Sequence, residues 1–123
     1  MGVIGTERPI FVELADRIAD DILAGLLEED AQVPSTNELA AFYRINPATA
    51  GKALNRLVDA GVLHKRRGLG MFVAPGARQS LRAERHAAFA DEYVRPLMDE
   101  ARRLGLTADH VIELIHHHPQ EKK

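Results

Sequence analysis

At 123 residues, 46% apolar and 28% charged, the chain has the length and composition of one globular domain with a short appendage. It contains no cysteine, which excludes a disulfide scaffold, a thiolate nucleophile and a sulfur-ligated zinc site, and which suits a reducing compartment. The formal net charge of −2 is unevenly spread: residues 1–33 carry −6, residues 34–79 carry +5 and residues 80–123 carry −1, so a basic middle third lies between acidic flanks, the footprint of a face that meets phosphates.

The opening MGVIGTERPI lacks the basic and apolar regions of a secretion signal, and no run of about 18 apolar residues occurs, so a cytoplasmic protein without membrane contact is expected. From Ile10 through Leu14, Ile18 and Ile22 to Leu26, apolar residues recur every fourth position, which predicts a helix over 10–26 with an acidic outer face. Pro9 stands at its start and Gly25 near its end. Ser35 and Glu38 then have the spacing of a capping box, opening a helix of two turns whose buried side is Leu39, Ala40 and Phe42. After a turn at 43–45, Asn46 is a good N-cap and Pro47 occupies the first helical position, where its missing N–H costs nothing. Ala50, Ala53, Leu54, Leu57 and Val58 form the inward stripe of this helix, and Gly61 closes it. Two short helices joined by a tight turn make a helix-turn-helix.

Next, VLHKRRGLGMFV reads as a β-hairpin, with arms at 62–65 and 71–73 and a basic, glycine-bearing tip at 66–70, which is a wing. From about Gln79 to Leu104, the residues Ala83, Ala87, Ala90, Val94, Leu97, Ala101 and Leu104 alternate steps of four and three, the seven-residue repeat of helix-on-helix packing. Pro96 should kink this helix, Gly105 ends it, and Thr107 caps a last helix through about His116, leaving HHHPQEKK as a frayed tail. The expected fold is therefore mainly α with a small β-hairpin wing: a winged helix-turn-helix over 1–76, then a helical segment over 77–123 that dimerises the chain through its alanine-rich seam.

In such a fold the helix opening at Asn46 enters the major groove of DNA, its first turns nearest the base edges. Its outward positions are Ala48, Thr49, Gly51, Lys52, Asn55, Arg56 and Asp59. Ala48 suits a thymine methyl, Thr49 a base or phosphate, and Lys52 a phosphate or guanine, while Arg56 lies far enough along to reach only the backbone. The helix N-terminus adds free N–H groups and a positive dipole end for phosphate. Ser35, Thr36 and Asn37 at the start of the preceding helix, Arg44 in the turn, and Lys65, Arg66, Arg67, Gly68 and Gly70 on the wing complete the expected DNA-binding set. Gly51 has two readings side by side, since glycine in an exposed helix costs about 1 kcal/mol relative to alanine. Either the missing side chain lets the helix approach DNA closely, or the site is a tolerant piece of surface.

The runs PIFVELADRIADDILAG and VPSTNELAAFYRINPATAGKALNRLVDAGVLHKRRGLGMFV resemble the DNA-binding domain of the GntR family of bacterial regulators, in order and without gaps over roughly 9–73. The short helical tail and the Asn-Pro-x-Thr start of the second helix are similar to the YtrA-like subfamily. The resemblance implies a homodimeric transcription regulator, a repressor that covers promoter DNA at an inverted-repeat operator, with a transporter operon as the implied target. Two positions depart from the family pattern. Asn37 stands where Pro-Ser-x-Arg-Glu-Leu has its arginine, and Pro47 replaces an arginine common after the helix cap. Asparagine lacks that charge and reach, so base preference does not carry over.

No Ser/His/Asp order, phosphate-binding loop or carboxylate pair rises above chance, so neither enzyme activity nor a cofactor is expected. His110, Glu113 and His117 have the spacing of a metal-binding helix face but no His-Glu-x-x-His pattern, and a packed or solvated histidine cluster is expected instead. The segment after the wing is short for enclosing a pocket of several hundred Å3, so any small-molecule effector is expected at the dimer interface or between the two halves. Two rival readings remain: a winged-helix protein-interaction module without DNA binding, and a metal-responsive regulator using the C-terminal histidines.

Overall fold

The four-residue apolar spacing at the start of the chain produces helix α1 (Ile10–Leu23), which buries Leu14, Ala15, Ile18, Ala19 and Ile22. The computed structural model describes residues 8–118, so the last five residues of the expected frayed tail lie outside the described residues. Helix α1 stops one turn earlier than its apolar spacing suggests. Gly25 N–H donates to Ile22 C=O at 3.1 Å and Leu26 N–H to Asp21 C=O at 2.9 Å, the paired bonds that close a helix end, and Leu26 is left exposed.

Helix α2 (Thr36–Tyr43) begins at the expected capping box: Glu38 N–H donates to Ser35 Oγ at 3.1 Å and Ser35 N–H to Glu38 Oε1 at 2.8 Å. It buries Leu39 and Ala40 but not Phe42, which is 78% exposed. With about 100° between successive residues, Leu39, Ala40 and Tyr43 share one arc and Phe42 falls outside it; its ring meets the edge of Tyr43 at a centroid distance of 4.8 Å. Arg44 closes the helix in the left-handed region (φ 57°), and helix α3 (Pro47–Asp59) follows, with Ala50, Ala53, Leu54 and Leu57 buried. Ala50 and Ala53 are fully buried, and small side chains at these positions let α3 pack closely among its neighbours, α1 and α2.

Strands β1 (Leu63–Arg66) and β2 (Gly70–Val73) pair antiparallel with Leu63 opposite Val73 and Arg66 opposite Gly70. The hairpin tip is therefore only residues 67–69, shorter than the tip at 66–70 expected from sequence. The segment before α2 runs along the other side of β2: Val33 N–H donates to Met71 C=O and Val73 N–H to Ala31 C=O, both at 2.9 Å, and Gln32 lies opposite Phe72. Val33, Leu63 and Val73 thereby join the helix residues in one core with Ile22 and Leu54 at its centre.

Helix α4 (Ala77–Phe89) adds Ala77 and Leu81 to this core. Its start is held by Glu29, whose carboxylate accepts from Gly76 N–H at 2.8 Å, and by Arg78, whose Nε donates to Leu23 C=O at the end of α1 at 3.0 Å. The first compact unit ends at Ala83, within α4, and the second begins at Glu84.

In the second unit the break expected at Pro96 is a π-helical turn over Ala90–Val94, in which Arg95 N–H donates to Ala90 C=O. Proline has no N–H and its ring crowds the carbonyl four residues back, so the widened turn just ahead of it relieves both problems. Helix α5 (Arg95–Arg103) and helix α6 (Ala108–His117) follow, and α6 opens at Thr107 as expected. The π turn inserts about one residue into the helical repeat, so the seven-residue seam changes phase between Ala90 and Leu97. No helix among the described residues is long and apolar enough to cross a membrane.

Candidate nucleic-acid interface

Three sequence-distant segments meet in an open groove of about 930 Å3: the start of α2, one edge of α3, and the hairpin. Ser35 and Thr36 border it from α2, Gly51 and Asn55 from α3, and Lys65 to Met71 from the hairpin. Gly51 and Asn55 are four residues apart and so share an edge of α3. Lys52 and Arg56, also four apart, are exposed on the neighbouring edge, outside the groove lining. Lys52 Nζ sits 5.6 Å from the centre of the Phe11 ring, which lends its long side chain a fixed side without covering it. Ala48 is exposed and Thr49 half-buried.

The caps occupy some of the expected contact groups. Asn46 Oδ1 accepts from Ala48 N–H at 2.7 Å, and the Asn46 carbonyl accepts from Thr49 N–H at 2.9 Å and Ala50 N–H at 3.1 Å. Pro47 has none to give. The free N–H groups expected at this helix N-terminus are thus already bonded, and what remains for an anion is the dipole and the Asn46 amide nitrogen. Ser35 is likewise committed as an acceptor within the capping box but keeps its hydroxyl proton to donate. Asn37 and Arg44 are exposed.

On the hairpin the three cations differ. The Arg66 guanidinium lies 4.3 Å from the centre of the Phe72 ring and 3.5 Å from Asp30 Oδ1, so its charge is partly answered. Lys65 and Arg67 are exposed and have no ion pair among the described residues. Leu69 N–H donates to Arg66 C=O at 2.9 Å, and Gly68 at the third position of that turn has φ +76°, which favours glycine. Gly70 has φ +124°, and a Cβ there would stand 2.6 Å from Gln32 Nε2. Gln32, whose Nε2 donates to Leu69 C=O at 2.7 Å, is a residue the sequence reading missed. The alternation of Ala31, Gln32 and Val33 was the one signal for it, a strand too short to stand out from a loop.

The seam residues divide. Ala83, Ala87, Ala90, Val94, Leu97 and Leu104 are exposed, whereas Ala101 is 3% exposed and, with Val111 of α6, is one of two buried residues among those described after Glu84. Leu97, Leu104, Val111, Leu114 and Ile115 line an open apolar groove of about 530 Å3 along α5 and α6. His110 Nδ1 accepts from Thr107 N–H at 3.1 Å, and His117 pairs with Glu113 at 3.1 Å, so these side chains serve as cap and helix pair. The described residues contain no cluster of metal-ligating side chains.

The family model for bacterial regulatory proteins of the gntR family matches residues 11–73. The HTH-type regulator YurK of Bacillus subtilis is 36% identical over 69 residues, spanning 56% of this chain but only 28% of that protein. The HTH-type transcriptional repressor YtrA of the same organism is 26% identical over 110 residues, covering 89% of this chain and 84% of the repressor. Among solved structures, a GntR-family protein from Bacteroides thetaiotaomicron superposes with a TM-score of 0.70 at 32% identity, covering 87% of this chain and 93% of the other. The DNA-binding domain of AraR, in complex with operator ORR3, gives 0.53 at 32% identity over 60% of this chain and 92% of that domain.

Proposed function

The chain belongs to the gntR family of bacterial regulatory proteins, and from that premise we propose that it is a homodimeric repressor that reads an inverted-repeat operator with α3 and the hairpin. The observation that carries this reading is the groove itself. A recognition helix edge, a capped helix start and two unanswered cations, Lys65 and Arg67, converge on one open surface. A duplex backbone running between α3 and the hairpin would place a phosphate against those cations while Asn55 and the exposed face at Ala48 and Lys52 meet base edges. AraR, whose DNA-binding domain shares this fold, has been crystallised on an operator.

The second unit supports the dimer. Among its described residues it buries only Ala101 and Val111, yet Phe89, Tyr93, Leu97, Leu104, Ile112, Leu114 and Ile115 are each between 44% and 64% exposed. So much uncovered apolar surface is stabilised when a second copy covers it. Two recognition helices would then face half-sites about 34–36 Å apart, one helical turn of DNA. A small-molecule effector would bind in the groove along α5 and α6, at the dimer interface, and the resemblance to YtrA-like regulators makes a transporter operon the proposed target.

Binding of the purified chain to the DNA upstream of its own gene, followed across a salt series, tests the proposal. Affinity should fall steeply with salt, and Lys65→Ala with Arg67→Ala should reduce the slope of log K against log salt by about 3.6 for the dimer, two phosphates' worth in each half-site. Salt-insensitive or absent binding would overturn it in favour of a protein-interaction module.

A further inference from the structure

The tip of the hairpin carries one apolar side chain beside its cation. Leu69 is 64% exposed there, immediately after Arg67 and Gly68, although surface turns ordinarily carry polar residues. A lone exposed leucine is common, but this one is set in place. Its carbonyl accepts from Gln32 at 2.7 Å and its N–H donates to Arg66 C=O at 2.9 Å, so both of its backbone groups are tied. The residues on either side are glycines: nothing lies within 4 Å of a Cβ built on Gly68, and Gly70 is pressed against the Gln32 amide. The leucine therefore projects without a neighbouring side chain to shield it. It borders the same groove as Gly51 and Asn55.

An uncharged apolar side chain gains nothing from a phosphate. What it can meet beside the cations of the hairpin is the wall and floor of the adjacent minor groove. There A·T pairs present only acceptors, whereas G·C pairs add the guanine N2 amino group at the centre of the floor. A leucine pressed onto that floor crowds the amino group and strips it of water without offering an acceptor, which penalises G·C. We propose that Leu69, held by Gln32, reads the minor groove and selects A·T over G·C at one base pair of each half-site. The inference rests on the DNA-binding reading above and adds a specificity-determining residue to it.

The test uses the full chain and a pool of short duplexes randomised at every position, with bound molecules sequenced. Wild type should enrich A·T at one position per half-site, and replacing that pair by G·C should weaken binding on the order of tenfold, within the range one altered pair costs a specific complex. Inosine·cytosine, which lacks the N2 amino group, should bind like A·T. Leu69→Ala should lose the preference and keep the salt slope, since no charge is removed. Arg67→Ala should lower the slope and keep the preference. Gln32→Ala, as a change in a positioning residue, should shrink the preference while the slope stays put. Leu69→Ala retaining the preference, inosine behaving as guanine, or the preference vanishing with Arg67→Ala alone would each overturn the inference. A wild type that binds no duplex in a salt-sensitive way would instead overturn the DNA reading beneath it.

Discussion

Gly51→Ala separates two physical demands on one residue. Gly51 lies inside α3, half-buried, with a φ that any residue adopts, and the nearest atom to an added Cβ is Thr36 Cγ2 at 4.0 Å, an ordinary contact. Nothing must move to accept the methyl group. Removing a helix-interior glycine should then stabilise the fold by about 1 kcal/mol, through helix propensity and a less flexible unfolded chain. For a unit of this size that corresponds to a rise in Tm of about 4–8 °C, read by circular dichroism. The same methyl group projects into the groove that α3 shares with the hairpin. If α3 lies with its backbone against DNA there, the helix must stand off, and affinity for a selected duplex should fall by about tenfold, a loss of about 1.4 kcal/mol. Fluorescence anisotropy at fixed salt measures this. A higher Tm with unchanged affinity would refute the close approach and leave Gly51 as tolerant surface. A lower Tm would refute the steric argument itself.

Other expectations follow from the same contacts. Asp30→Asn keeps a residue that tolerates the left-handed backbone at φ 67° but frees Arg66 from its acidic partner; DNA affinity should rise severalfold at low salt, with stability changed by less than about 1 kcal/mol because the pair is exposed. Leu54→Ala empties a fully buried site and should cost about 2–5 kcal/mol in urea unfolding, since the surrounding core relaxes only partly. Ile115→Glu places a charge on the apolar face of the second unit; sedimentation should show a dimer for the unaltered chain and monomers for the variant, and a variant that stays dimeric would exclude this face as the interface. Ser35→Ala removes one half of the capping box and should lower stability by about 1 kcal/mol in thermal unfolding.

Much of this molecule is written in local chemistry. Ser35 with Glu38, Asn46 before Pro47, and the four-residue apolar spacing of α1 set helix starts and inward faces through interactions within a few residues, and the winged helix-turn-helix follows from their order. The basic middle third and the cations of the hairpin were legible for the same reason. Tertiary structure decided what no local rule contains. Phe42 points outward because two turns of helix have room for only one buried arc, and Arg66 is drawn aside by Asp30 and Phe72, partners 36 and 6 residues away. The α3 N–H groups close on their own cap. Gln32 comes to grip the hairpin tip only because residues 31–33 pair with β2, a contact across 37 residues from Gln32 to Leu69. Local hydrogen bonds and periodicity choose elements, but which exposed side chain faces which groove depends on long-range packing, where the distances that matter are measured through space.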